Sequence, residues 1–440
     1  MKKIMLALAL MPSLLMAQHS IQGTFSPANE FTYAFVYKSN PTGAVYIDRA
    51  KVDENGRFKI QLDSTSTTGI YKIVYGVPQQ DHNFDLIYNG KEDVILDFSL
   101  TEGLEFKESN ENKLWASYTN SIEMINRAIS NFYSQDSDDE AAFRDIFKTL
   151  QETQDAFELA SKNTMVSVFI AANKPYIPVS YEDVATYSTN LKNTYLKHVD
   201  FSNPLLQSSE FLSDRVMAYV FGMSANPTEE FYKQQIDGLV NYIGADNSEI
   251  KMVLLQAVWN NMVKLEESNV ANYITDTYLL ELANNEKNDM LAAQLVVFKN
   301  TAIGTVAKDF PITLDQKGKK VNTSLHGLSK AEHYVLIFWS SECSHCLSEL
   351  PQVRDFVTTM TNNKVQVVAY GLEDNEANWK KEIANYPNFI HVLGLEKWNN
   401  PITGVYGIEL TPTYFVLDKD KKIVAKPHSL EELKTVLKTL

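Results

Sequence analysis

The first part of the chain alternates. Apolar β-formers take every second position in residues 32–37, 45–52, 58–62, 70–75, 84–88 and 94–98. A period of two turns one face of each run toward a core, so these runs predict strands. Asn55-Gly56 and Asn89-Gly90 separate successive runs and suit tight hairpin turns, which need φ > 0. Residues 18–100 are therefore expected to form a small antiparallel β-sandwich.

From about residue 101 the period changes. Apolar positions recur at helical spacing in Val253, Leu254, Ala257, Val258 and Val263, and again in Leu291, Leu295, Val296 and Ile303. Pro175, Pro178, Pro204 and Pro227 punctuate these helices, and Asn226-Pro227 places proline where a helix can start. Residues 101–304 thus read as an α-helical domain without a repeat period. The acidic run Asp136-Ser137-Asp138-Asp139-Glu140 has a superficial likeness to a calcium loop. It has Ala141 where such a loop needs glycine, so a solvated loop is expected.

Residues 305–440 mix both periods. Gln316-Lys317-Gly318-Lys319 resembles a turn between two short strands. Residues 334–339 form an unbroken apolar run, as in a central strand covered on both faces. Helical spacing follows in Leu347, Leu350, Val353, Val357 and Met360. Then come a buried strand (365–370), a helix (375–386), a short strand (389–393) and two strands (412–417, 423–425) across the charged turn 418–422. Ser429 and Glu432 form the capping box of a closing helix, whose apolar face carries Leu430, Leu433, Val436, Leu437 and Leu440. The fold class is multidomain: an N-terminal β-sandwich, an α-helical middle region and a C-terminal α/β domain.

Residues 1–17 read as a cleaved export signal. Lys2 and Lys3 make a basic start, residues 4–16 are almost wholly apolar, and Ala17 is small before polar Gln18. The run is too short for an ordinary membrane span, no later stretch is apolar for long enough, and no cysteine follows to carry a lipoprotein-type anchor. The expected location is periplasmic. Removing the two lysines takes the formal charge from −15 to −17. An acidic chain lacks the basic footprint that phosphates require, so nucleic acid is not an expected partner.

The chain has two cysteines, Cys343 and Cys346. They flank Ser344-His345, just after the apolar run, where a helix should begin. The pair closes too small a loop to be a useful staple. A structural zinc site usually needs four protein ligands, often two such pairs, and the second pair is absent. Disulfide exchange is the better reading, with no cofactor beyond a redox-active Cys343–Cys346 disulfide.

Several motifs around this pair occur in the order of a known family. Phe338-Trp339 precedes Cys343-Ser344-His345-Cys346 by three residues, Glu349 and Pro351 follow, and Tyr406 precedes Thr411-Pro412-Thr413-Tyr414-Phe415. This set resembles exported thiol–disulfide oxidoreductases of the TlpA/ResA type, which have a thioredoxin-like fold. The resemblance covers residues 305–440. The layout of all three parts is similar to that of Bacteroidetes-type proteins with β-rich and helical regions ahead of such a domain.

The resemblance implies a reaction. Cys343 would attack a partner disulfide and Cys346 would resolve the mixed disulfide. Glu349 would exchange a proton with the sulfurs, and His345 would act on the Cys343 thiolate as a cation or hydrogen-bond donor. Pro412 should be cis, exposing the Thr411 backbone to a substrate peptide. Trp339 is grouped with Thr411 and Pro412 on the substrate-binding side, packing below the site. Glu342 departs from the family, placing an acid where an apolar residue is usual, and the Ser-His interior departs too. The expected partners are protein thiols or disulfides and an unidentified redox partner. A reductase is the leading expectation. An oxidase or isomerase, or a non-catalytic scaffold, are the alternatives.

Overall fold

The computed structural model describes residues 19–40, 43–63, 66–316, 319–360 and 364–440. The export-like segment 1–17 lies outside them, as do Lys317 and Gly318 of the expected turn. The chain forms two compact units, Met1–Val258 and Trp259–Leu440.

The first unit opens with strands β1 (Ser20–Ser26), β2 (Tyr33–Asn40), β3 (Gly43–Lys51), β4 (Arg57–Gln61), β5 (Gly69–Val74), β6 (Asn83–Tyr88), β7 (Val94–Ser99) and β8 (Gly103–Glu108). Among the described residues they make two four-stranded sheets, β4-β1-β7-β8 and β3-β2-β5-β6. One core draws on alternate residues of both, including Ile21, Phe25, Val36, Ile73, Leu86 and Leu96. This is the expected sandwich, with three corrections.

First, neither Asn-Gly turn closes a hairpin. Gly56 and Gly90 do take positive φ, 81° and 71°. However, β3 pairs with β2 while β4 pairs with β1, so Asn55-Gly56 carries the chain from one sheet to the other. Asn89-Gly90 does the same between β6 and β7. Turn chemistry is local, whereas pairing depends on which apolar faces are buried together. Second, β1 and β7 run parallel, so the sandwich is not wholly antiparallel. Third, strand pairing continues to Glu108. β8 offers the core only Leu104 and Phe106, both partly buried, which is too short an alternation to read as a strand.

Helices follow from Asn110–Ser134. Asn112 ties that helix to β6, accepting from the Ile87 N–H and donating to the Ile87 carbonyl, each at 2.8 Å. The acidic run ends in a helix cap: Asp139 accepts from the N–H groups of Ala141 and Ala142 at the start of Glu140–Ala160.

The second unit contains the helix Asp289–Thr301. Its Leu291 and Leu295 are buried, whereas Val296 and the following Ile303 are exposed. β9 (Pro311–Gln316) and β10 (Lys319–Ser324) pair antiparallel. A five-stranded sheet follows, built from β11 (His333–Trp339), β12 (Val365–Glu373), β13 (Ile390–Leu395), β14 (Thr413–Asp418) and β15 (Ile423–Ala425). Its order is β13-β12-β11-β14-β15. β11 is central, parallel to β12 and antiparallel to β14.

The unbroken apolar run of β11 serves two cores. Tyr334, Leu336 and Phe338 pack on one face with Phe310, Tyr370 and Phe415. Val335, Ile337 and Trp339 pack on the other with Leu350, Leu433 and Leu437. That second face is covered by the helices Ser344–Thr358 and Leu430–Thr439. Ser429 caps the closing helix through the Glu432 N–H, while the Glu432 carboxylate reaches the N–H of His428, one residue earlier than a standard capping box. The expected helix 375–386 is shorter, Glu376–Glu382, and is capped by Asn375.

Leu336 is wholly enclosed. Leu336→Ala is expected to destabilise the second unit by about 2–5 kcal/mol, the usual cost of an unfilled core cavity. A urea titration read by exposure of Cys346 to alkylation would measure it. An unchanged midpoint would contradict the two-faced core.

Candidate active site

β11 ends at Trp339, three residues turn the chain, and Cys343 caps the next helix. Its backbone is extended, φ −89° and ψ 113°, and its sulfur accepts a hydrogen bond from the Cys346 N–H at 3.3 Å. A sulfur here fills the place usually taken by a Ser, Thr or Asp oxygen. It faces N–H groups that the helix leaves unpaired, at the positive end of its dipole.

The two sulfurs differ sharply. Cys343 is partly exposed and Cys346 is fully buried; both are free thiols. Partial burial opposes ionisation of Cys343. Hydrogen bonds from the Cys346 thiol, from the Thr411 side chain and from the backbone N–H groups of Cys346 and His345 outweigh it and hold the thiol below its ordinary value. Burial, then the neighbouring Cys343 sulfur, push the Cys346 thiol up to about 12.

The cis-proline loop closes over the pair. The Thr411–Pro412 bond is cis, and the Thr411 carbonyl accepts from the Cys343 thiol at 3.3 Å. Both loop residues are half-buried. Glu349 lies one turn beyond Cys346 and is half-buried; its Oε2 accepts from the Tyr414 hydroxyl at 2.6 Å. Cys343, Cys346, Glu349, Thr411 and Pro412 thus converge at one end of the sheet.

Two expected site residues stand differently. Trp339 is 0% exposed, sealed in the core with Cys346 and Leu350, so it packs beneath the site and offers substrate no surface. The His345 ring is exposed and makes no hydrogen bond to Cys343 Sγ among the described residues; its backbone N–H is what acts on that sulfur. Glu342, the acid beside Cys343, is paired with Lys397 at 3.0 Å, and Lys397 also lies 3.6 Å from Asp374. Among the described residues, no cluster of three or more His, Cys, Asp or Glu stands ready for a metal.

Glu373 escaped the sequence reading. It ends β12 and is 2% exposed. Its carboxylate accepts from the Ser341 N–H at 2.6 Å, the Ser341 hydroxyl at 2.9 Å and the Ser340 hydroxyl at 3.4 Å. The Ser340 carbonyl in turn accepts from the Cys343 N–H at 3.1 Å. A buried acid therefore fixes the turn that delivers Cys343. The available signal was a charge closing a largely apolar strand.

A dithiol at the junction of a central strand and a helix, opposite a cis-proline, defines a thioredoxin-like thiol–disulfide oxidoreductase domain. Known proteins agree. The family model described as thioredoxin-like matches residues 332–423. The thiol–disulfide oxidoreductase ResA of Bacillus cereus is 30% identical over 124 residues, 28% of this chain and 68% of that protein. The Bacillus anthracis ResA is 29% identical over 146 residues, 31% of this chain and 78% of that protein. The chain belongs to the family of ResA-type thiol–disulfide oxidoreductases. Among solved structures, the thioredoxin domain of a Bacteroides vulgatus thiol–disulfide oxidoreductase is 26% identical, covering 31% of this chain and 96% of that chain at a TM-score of 0.27. A thioredoxin-like protein from Bacteroides caccae is 19% identical, covering 60% and 97%, at a TM-score of 0.32.

Iodoacetamide at neutral pH is expected to modify Cys343 and spare Cys346, since only the thiolate reacts and only Cys343 favours it. Labelling of Cys343 should rise through a midpoint below that of a free cysteine. Mass spectrometry across a pH series measures both, and equal labelling of the two sites would contradict the asymmetry.

Burial holds the Glu373 carboxyl above its ordinary value, against the opposing hydrogen bonds from Ser341. Between the ordinary and the raised value, the folded state keeps a proton that the unfolded state has lost. The fold therefore loses stability as pH rises through that window. Glu373→Gln is expected to flatten this part of the stability–pH curve. Urea titrations at stepped pH would show it, and an unaltered slope would refute it.

Proposed function

We propose that the chain reduces disulfides in partner proteins through Cys343 and Cys346. The carrying observation is the asymmetry of the pair, a partly exposed sulfur held toward its thiolate and a buried sulfur held as a thiol. The Cys343 thiolate attacks a partner disulfide, a mixed disulfide forms and the first partner thiolate leaves. Glu349 takes the proton of Cys346. The Cys346 sulfur then bonds to Cys343 Sγ and expels the second partner thiolate, which takes that proton. The partner gains two electrons and the chain is left with a Cys343–Cys346 disulfide.

Thr411 and Pro412 form the edge against which the partner's backbone lies. The exposed ring of His345 makes no hydrogen bond to Cys343 Sγ among the described residues, and a thiolate without that bond is less stabilised, which supports reduction over oxidation. The basic start, apolar run and small residue within residues 1–17 support export, with action in the periplasm. Among the described residues, no helix is long and apolar enough to cross a membrane.

Two measurements test the reading. Cys346→Ser is expected to trap partners on Cys343 as mixed disulfides in the native cell envelope, and Cys343→Ser to trap none. Equilibration with glutathione should give a potential below about −230 mV; a value near about −120 mV would make the chain an oxidant. Absence of both trapped partners and insulin reduction would favour a non-catalytic scaffold.

A further inference from the structure

Tyr414 is the second residue of β14 and lies two positions after Pro412. It is 2% exposed and shares a core with Trp339, Cys346 and Leu350. A buried phenol needs a partner for its hydroxyl. Here the partner is Glu349 Oε2, at 2.6 Å, while Glu349 Oε1 has no hydrogen-bond partner among the described residues. The phenol is a fixed donor, since burial first and the Glu349 carboxylate second push its ionisation far above the ordinary range. Cys346 lies in the same core as the phenol, and Cys343 packs against that core. One side chain therefore reaches from the cis-proline strand to the acid, within the core that holds Cys346.

We propose that Tyr414 is a positioning residue of the exchange reaction: it holds Glu349 by one carboxylate oxygen and leaves the other free to take the Cys346 proton. This rests on the reading of Glu349 as proton acceptor given above. In the step, the Cys346 S–H bond breaks and the proton passes to Glu349 Oε1. The electron pair left on Cys346 forms the bond to Cys343 Sγ. The bond from Cys343 to the partner breaks, its pair leaves on the partner's sulfur, and that sulfur takes the proton from Glu349. The carboxylate ends as it began. Without the hydroxyl it is free to rotate, and a misplaced proton acceptor loses rate even with its chemistry intact.

Dithiobis-nitrobenzoate separates the two steps on the reduced full chain. Attack by Cys343 releases a first thionitrobenzoate, and resolution by Cys346 releases a second. Tyr414→Phe keeps the ring and is expected to slow the second release about tenfold, the effect of losing one hydrogen bond to a charged group. The first release should keep its rate. Glu349→Gln should slow the second release at least as much, and adding Tyr414→Phe to it should change nothing further, because the hydroxyl acts through the carboxylate.

If Tyr414→Phe resolves at the wild-type rate while Glu349→Gln is slow, the proposal is wrong and the reading of Glu349 stands. If Glu349→Gln resolves at the wild-type rate, that reading fails and takes the proposal with it. A double variant slower than Glu349→Gln by the full Tyr414→Phe factor would reduce the tyrosine to packing and overturn the proposal. Should the phenylalanine disturb the fold, Glu349→Asp withdraws the carboxylate from the hydroxyl while leaving the core intact. It is expected to slow the second release alike, and a wild-type rate there overturns the proposal.

Discussion

The site depends on one hydrogen bond, from the Cys346 N–H to the Cys343 sulfur. It makes a thiol the cap of a helix. A helix start leaves N–H groups without partners, and an oxygen normally satisfies them. Sulfur is a weaker acceptor as a thiol and a much stronger one as a thiolate. The vacancy at the helix start therefore favours the charged form of this one side chain. The same geometry fixes the fate of the second cysteine. Three residues further on, Cys346 falls on the face that the helix buries against β11, where burial keeps its proton in place. Spacing converts a single helix into two unlike thiols.

That arrangement needs a rigid floor, and β11 supplies it. The strand is buried on both faces, so its end cannot shift without disturbing two cores. Glu373 extends that rigidity past the end of the strand. It takes hydrogen bonds from Ser340 and Ser341, and Ser340 in turn accepts from the Cys343 N–H. An acid buried here carries a desolvation cost, offset in part by its three donors. Ser340, Ser341 and Glu342 are small or polar and bury little apolar surface, so polar contacts hold this turn: those to Glu373, and a hydrogen bond from the Glu342 N–H to the Ser340 hydroxyl at 3.2 Å.

Legibility followed distance along the chain. The strand, the helix start and the placing of Cys343 and Cys346 lie within a few residues of one another, so pattern and spacing were enough to read them. Thr411 is 68 residues from Cys343, and its place opposite the sulfur was reached only through resemblance. Tyr414 is 65 residues from Glu349, and Glu373 is 32 from Ser341. Neither pair leaves a local trace, because a tyrosine in a strand and an acid at a strand end are ordinary on their own. The sandwich shows the same limit. Asn55-Gly56 was read correctly as a place of positive φ and wrongly as a hairpin, since φ belongs to the residue and pairing belongs to the sheet.

The departure at Glu342 has a physical resolution that the sequence alone could not show. A carboxylate beside Cys343 raises the cost of a thiolate by Coulomb repulsion. Lys397, on the segment after β13, meets that carboxylate at 3.0 Å and cancels much of its field. An exposed pair of this kind contributes little to stability. Its effect falls on the local charge: Lys397 also lies 3.6 Å from Asp374, so these two acids and one base carry one net negative charge instead of two. The Cys343 thiolate is then governed by the groups that touch its sulfur, the Cys346 and His345 N–H groups, the Cys346 thiol and Thr411. The exposed ring of His345 is not among them. What looked on the sequence like a contest between a neighbouring acid and a neighbouring base is decided by the Cys346 thiol, the loop that faces it and the backbone of the helix.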